Sequence, residues 1–167
     1  SQASFTRKDL SITQLELLRY SCELDRYSWL GMEAPSDLQK DAVALCDTFV
    51  SQIASIAPTL NRGATKSEDI AAIIDCLCTC GEIFLDSEKS KQALKALDTI
   101  ESLKPACLHA GTSEAAFMRT LSLEGAQLYL EIGDYRRAAQ LADQALRLET
   151  RCDPYTAFFA RLIICTA

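Results

Sequence analysis

Three cysteines at alternate positions, Cys76-Leu-Cys-Thr-Cys80, together with Cys107 and the lone histidine His109, are the densest set of potential metal ligands in this 167-residue chain. Zinc asks for four thiolate or imidazole ligands in a tetrahedron. On a helix Cys76 and Cys80 share a face while Cys78 points elsewhere, so a site would need those two plus Cys107 and His109 from a later segment. The same residues also serve as small apolar packing groups, Cys80 at a close helix crossing, and that reading predicts neither metal nor cofactor. Catalysis has less to use. With one His, no Gly-rich phosphate loop and no paired nucleophile and base, no enzyme activity is expected. Glu23 and Asp25 point in different directions around a helix, which is the pattern of a solvated face.

Composition narrows the classes further. The chain is 49% hydrophobic with four Pro and six Gly, so it should bury one substantial core and be mostly helical. Seventeen basic residues against 23 acidic ones leave a net charge of −6, which argues against a nucleic-acid partner. The eight cysteines fall mostly inside apolar helical patterns and read as reduced, buried groups of an intracellular protein, cytoplasmic or nuclear. The N-terminus, Ser-Gln-Ala-Ser, carries no basic-then-apolar leader, and the apolar runs are shorter than a bilayer span, so no membrane association is expected. The missing initial Met predicts a piece of a longer protein.

The helices that must position any site follow from capping and periodicity. Ser11-Ile-Thr-Gln14 fits a capping box for a first helix to Trp29, with Ile12, Leu15, Leu18 and Cys22 down one face. Ser36-Asp-Leu-Gln39 opens a second, carrying Ala42, Cys46, Phe49, Ile53 and Ile56 until Pro58. Thr65-Lys-Ser-Glu68 opens a third after a turn at Asn61-Arg-Gly63, and Ser87 caps a fourth ending before Pro105. A loop with Cys107, His109 and Gly111 leads to a helix from Ser113 to Ile132. Gly133-Asp134 breaks it and caps the next, and Asp153-Pro154 starts a last one. About seven helices and no strand result.

Within this series Gly125-Ala126, Tyr129, Gly133-Asp-Tyr135 and the small residues Ala138, Ala142 and Ala145 resemble one unit of the tetratricopeptide repeat family. Ser122 replaces the usual Trp, Ala142 the usual aromatic residue, and no closing Pro comes before Pro154. Shifted back by 45 residues the pattern finds Cys80-Gly81, Phe84, Ala93 and Leu103, a degenerate second unit. The resemblance implies one all-α helical-repeat domain: antiparallel hairpins stacked in a right-handed superhelix, with a diverged hairpin over 11–58, repeats over 66–104 and 113–150, and a further or capping helix over 153–167.

In this family the first helix of each repeat lines the concave surface, which here implies a partner-binding groove of Cys78, Glu82, Leu85, Asp86, Leu123, Gln127, Leu130 and Glu131. None of these is the Lys, Arg or Asn with which chaperone-binding members clamp a terminal carboxylate. Leucines framed by Glu82, Asp86 and Glu131 suit a basic, amphipathic helix or peptide instead, as in an adaptor or scaffold. Phe158, Phe159, Leu162, Ile163 and Ile164 crowd the last helix, whose apolar edge predicts an interface or self-association. A structural segment of a large assembly, or a regulatory domain of a larger enzyme, stays open beside the adaptor reading.

Overall fold

A computed structural model of the chain describes residues 6–63, 65–148 and 154–167. Among them are eight helices and no strand: α1 (Arg7–Trp29), α2 (Ser36–Leu60), α3 (Ser67–Asp86), α4 (Ser90–Ser102), α5 (Lys104–His109), α6 (Glu114–Ile132), α7 (Tyr135–Arg147) and α8 (Pro154–Thr166). The all-helical class is as expected, and the extra helix is α5, which replaces the expected loop. Pro105 sits in its first turn, where a fixed φ suits the helix and the absent N–H is not missed. Leu103, Ala106 and Cys107 are buried, so the apolar content of the segment draws it onto the core. Asn61 then clasps the junction: its Nδ2 donates to the Ser102 carbonyl at 2.8 Å, and its Oδ1 accepts from the Ala106 N–H at 3.1 Å.

Several helix starts differ from the capping patterns for local reasons. Helix α1 begins four residues before Ser11, because Thr6 and Asp9 form the capping box, with N–H bonds of 2.9 and 3.2 Å. The Ser11 hydroxyl instead donates to the Arg7 carbonyl at 3.0 Å. Neither α2 nor α3 has a side-chain cap; acids in the first turn, Asp37 in one and Glu68 and Asp69 in the other, face the positive end of the helix dipole. Arg7 adds ion pairs to Glu68 at 2.8 Å and Asp69 at 3.2 Å, tying α1 to the start of α3. Helix α2 runs through Pro58, which in the last turn removes a single backbone bond. Ser87 is the C-cap of α3 rather than the cap of α4, and its buried hydroxyl has no protein partner. The break at Gly133 and the cap at Asp134 form as expected, with Gly133 at φ 87° and the Asp134 carboxylate accepting from the Arg137 N–H at 3.1 Å. Cys152 and the expected cap Asp153 lie outside the described residues.

Packing runs through two layers. Helices α1, α3, α6 and α8 contact one another in succession, while α2 packs on α4 and α7 on α6 and α8. One core joins α1 to α6; a smaller one, rich in alanine, joins α6, α7 and α8 through Ala126, Ala138, Ala142, Ala160 and Ile163. Small residues allow close approach there: a Cβ on Gly125 would stand 3.0 Å from Leu141 Cδ1 on α7 and 3.6 Å from Leu97 Cδ2 on α4. The starts of α4 and α7, Ser90 and Tyr135, are 45 residues apart, matching the spacing of the two repeat-like units.

The face of α1 is reversed relative to the simplest reading of its sequence. Leu10, Leu17 and Leu24 are buried, whereas Ile12, Leu15 and Leu18 are 47%, 68% and 58% exposed, and Cys22 is exposed too. On α2 the expected face is buried, with Ile56 only half so. By length and composition alone α2 could also cross a membrane, contrary to the expectation that no segment is long enough. Here its apolar face is committed to the core through Ala42, Cys46, Phe49, Val50, Ile53 and Ala57.

The Asn61 clasp gives a direct test. Asn61→Ala removes both bonds to the α4–α5 junction and should cost about 1–2 kcal/mol in urea unfolding. Asn61→Asp, which keeps only the acceptor, should fall between the two. A variant as stable as the wild type would show that the junction holds without the clasp.

Candidate functional site

The open side of α3 carries Cys78, Glu82 and Asp86, placed there because its other faces are filled by Ile70, Ile73, Cys76, Leu77, Cys80, Ile83 and Phe84. Facing it is α6, with Glu124, Gln127 and Leu128, across a shallow crevice whose water-accessible space is only ≈ 20 Å³. Leu77, Gly81 and Leu85 complete the α3 wall, and Ala93, Ala96, Leu97 and Ile100 of α4 close the apolar back. Of the residues expected in a groove, Cys78, Glu82, Leu85 and Gln127 therefore meet in one place. Asp86 lies at the rim of a neighbouring cleft of ≈ 220 Å³ with Leu24, Tyr27 and Met32. Glu131 is exposed at the end of α6 and close enough for its charge to act on Asp86. Leu123 and Leu130 turn instead toward the α6–α8 core, beside Tyr129 and Leu141.

The electrostatics of this face are one-sided. Partial loss of water, then the charges of Asp25 and Asp86, hold Glu82 above the usual carboxylate range. Asp86 is raised in the same way, by desolvation and then by Asp25 and Glu131. Glu124 is pushed furthest, to about 7, by burial and by Glu82, partly offset by a hydrogen bond from the Cys78 thiol. Burial and the neighbouring carboxylates in turn raise the Cys78 thiol far above its ordinary range. Among the described residues none of these five carboxylates forms an ion pair. Like charges crowded from α1, α3 and α6 favour whatever supplies a cation.

Two members of this cluster, Glu124 and Asp25, are absent from the groove expected from the sequence. Glu124 is one turn before Gln127 and two before Glu131, a row on α6 that helical spacing does display. Asp25 is exposed, in keeping with a solvated face, yet α1 packs on α3 so that its charge reaches Glu82 and Asp86. Nothing in the first 30 residues marks that proximity.

The thiols elsewhere behave as packing groups. Cys76, Cys80 and Cys107 are buried, and desolvation pushes Cys76 up to about 11 and raises Cys107 as well. A hydrogen bond with Cys46, then burial, lifts Cys80 far above the ordinary thiol range. Such groups stay protonated at neutral pH in this fold and pack as small apolar side chains. His109 is exposed against Gly63, and no group of three or more His, Cys, Asp or Glu suited to a metal ion occurs among the described residues. On α8, Ile163 and half-buried Phe159 face the α6–α7 side, leaving Phe158 and Leu162 66% and 46% exposed.

Glu124 sets a pH dependence whose sign is fixed. Its folded carboxyl keeps a proton to about pH 7, whereas the free group loses it near 4.5, so folding takes up a proton between those values. Stability should therefore fall as pH rises through that window and stay low above it. Glu124→Gln should raise stability at pH 8 by about 1–2 kcal/mol and flatten the profile between pH 5 and 8. Thermal unfolding of the two proteins at both pH values checks this; a variant no more stable at pH 8 would refute it.

Comparison with protein-family models, with curated proteins and with solved structures finds no match for this chain, so the reading of the acidic face rests on its own geometry.

Proposed function

We propose that this chain is a tetratricopeptide-like helical-repeat segment of an intracellular adaptor or scaffold, whose α1–α3–α6 face holds a basic, amphipathic peptide or helix of a partner protein. The observation that carries the reading is the convergence of Asp25, Glu82, Asp86, Glu124 and Glu131 from three helices around an apolar cleft, with no ion pair to any of them among the described residues. A partner's Lys or Arg would relieve that repulsion while its apolar side chains lie over the half-buried Leu85 and Leu97 at the mouth of the crevice. The 45-residue spacing of the paired helices supports the repeat part of the reading. The buried, protonated thiols suit a reducing compartment, cytoplasmic or nuclear.

A second reading is favoured by one observation: Phe158 and Leu162 leave an apolar patch on α8. A structural segment joined to a neighbour through that helix, in a larger assembly, would use it without any peptide ligand.

The groove reading is tested with a labelled synthetic helix of leucines and lysines, titrated by fluorescence anisotropy. Glu82→Lys, Asp86→Lys and Glu131→Lys combined, all at exposed positions, should weaken binding at least tenfold while leaving the circular dichroism unchanged. Because the partner binds ionised carboxylates, and Glu124 beside them loses its proton only near pH 7, wild-type affinity should rise between pH 5 and 7.5. Equal affinity in the triple variant would reject the groove.

A further inference from the structure

The acidic cleft leaves unexplained the most exposed apolar surface of the molecule. Leu15, Leu18, Cys22 and Trp29 recur at spacings of three, four and seven along α1, a seam of the kind that packs against another helix. Ile12 extends it at one end, and Leu30 and Met32 at the other, where Trp29 is 90% exposed. From Ile12 to Trp29 the seam is about 25 Å long. Six large apolar residues at 47–90% exposure amount to several hundred Å², at or above the roughly 300–600 Å² of the largest patch on an ordinary monomer. The core of α1 is already satisfied by Leu10, Leu17 and Leu24 on another face, so the seam contributes nothing to this fold.

Charge says what fits it. Lys8, Arg19 and Arg26, spaced by eleven and seven residues, form one row along a margin of the seam, and all three are exposed. Glu16 and Glu23 lie beyond that row; Glu23 draws Arg19 at 3.7 Å, an exposed pair that neutralises little. Arg19 and Arg26 also lie over the rings of their neighbours Tyr20 and Tyr27, at 4.4 and 5.9 Å, which keeps them near the helix surface. On the opposite margin stand Gln14, Ser21, Ser28, Asp25 and, five turns before Asp25, Arg7, which is engaged by Glu68 and Asp69, so that margin carries no row of one sign. An antiparallel second copy of α1 would set arginine row against arginine row, a like-charge arrangement that helix pairs avoid.

We infer that the exposed seam of α1 is a second docking surface, opposite in charge preference to the cleft, that pairs with an amphipathic helix of another protein carrying leucine-type residues along its seam and Glu or Asp along one margin. The chain then joins two partners of opposite sign, a basic one on the cleft and an acidic-margined one on α1.

Trp29 is the only tryptophan in the chain, so its emission reports the seam directly. The intact chain is titrated with a synthetic helix bearing leucines at the seam, glutamates on one margin and glutamines on the other. A saturable blue shift is expected, with affinity at least tenfold weaker for Leu15→Gln/Leu18→Gln and for Arg19→Glu/Arg26→Glu, and with unchanged circular dichroism, since none of the four supports the core. The inference is overturned by no shift, by a shift that either double variant leaves intact, or by light scattering that shows a dimer with Trp29 already shielded, which would make a second copy the occupant. It is equally overturned if phosphatidylserine vesicles shift the emission and the peptide does not, which would make the seam a membrane-surface element.

Discussion

Helix α3 is enclosed on nearly every side, touching α1, α2, α4, α5 and α6, and the rest of the arrangement hangs on that enclosure. Its seven buried side chains, from Ile70 to Phe84, share one broad face, and the half-buried Ala72, Ile74, Cys78 and Leu85 flank it. A helix so committed has one direction left for polar groups, and there Cys78, Glu82 and Asp86 stand. The neighbours that bury α3 also bring their own carboxylates to the rim, Asp25 from α1 and Glu124 and Glu131 from α6. The position of the acidic face is thus a by-product of the packing that makes the core.

That face is held against its own electrostatics. Burying Glu124 beside Glu82 raises its affinity for a proton, and crowding does the same to Asp86. No stabilising role in the isolated domain accounts for carboxylates held this way, since a neutral side chain in the Glu124 position would avoid the desolvation penalty. That cost is what the cations of the proposed partner would relieve. The exposed seam on α1 has the same character in apolar form: surface with no use inside the fold.

The C-terminal part is built by a different device. Between α6, α7 and α8 the contact is lined by alanines and Gly125, so backbones approach closely and little large-side-chain burial is available. Gly133 in the left-handed region and the Asp134 cap then turn the chain sharply enough for α7 to return along α6. Tyr129 is held under Arg137 at 4.3 Å, which fixes an aromatic ring where the small residues leave room.

The sequence by itself determined the helical class, the break at Gly133, the inward face of α2 and the small-residue crossing, because each depends on residues within a few turns of one another. The tetratricopeptide resemblance, and not periodicity, put Glu82, Leu85 and Gln127 on one expected surface. What only the tertiary structure decided is which of two stripes on α1 is covered, that residues 104–109 coil into a helix under the Asn61 clasp, that Leu123 and Leu130 turn inward, and that Asp25 and Glu124 join the carboxylate cluster. Periodicity says that a helix has an apolar stripe. When it has two, the choice belongs to the neighbour that packs against it, and the distance between charges on separate helices exists only once those helices are packed.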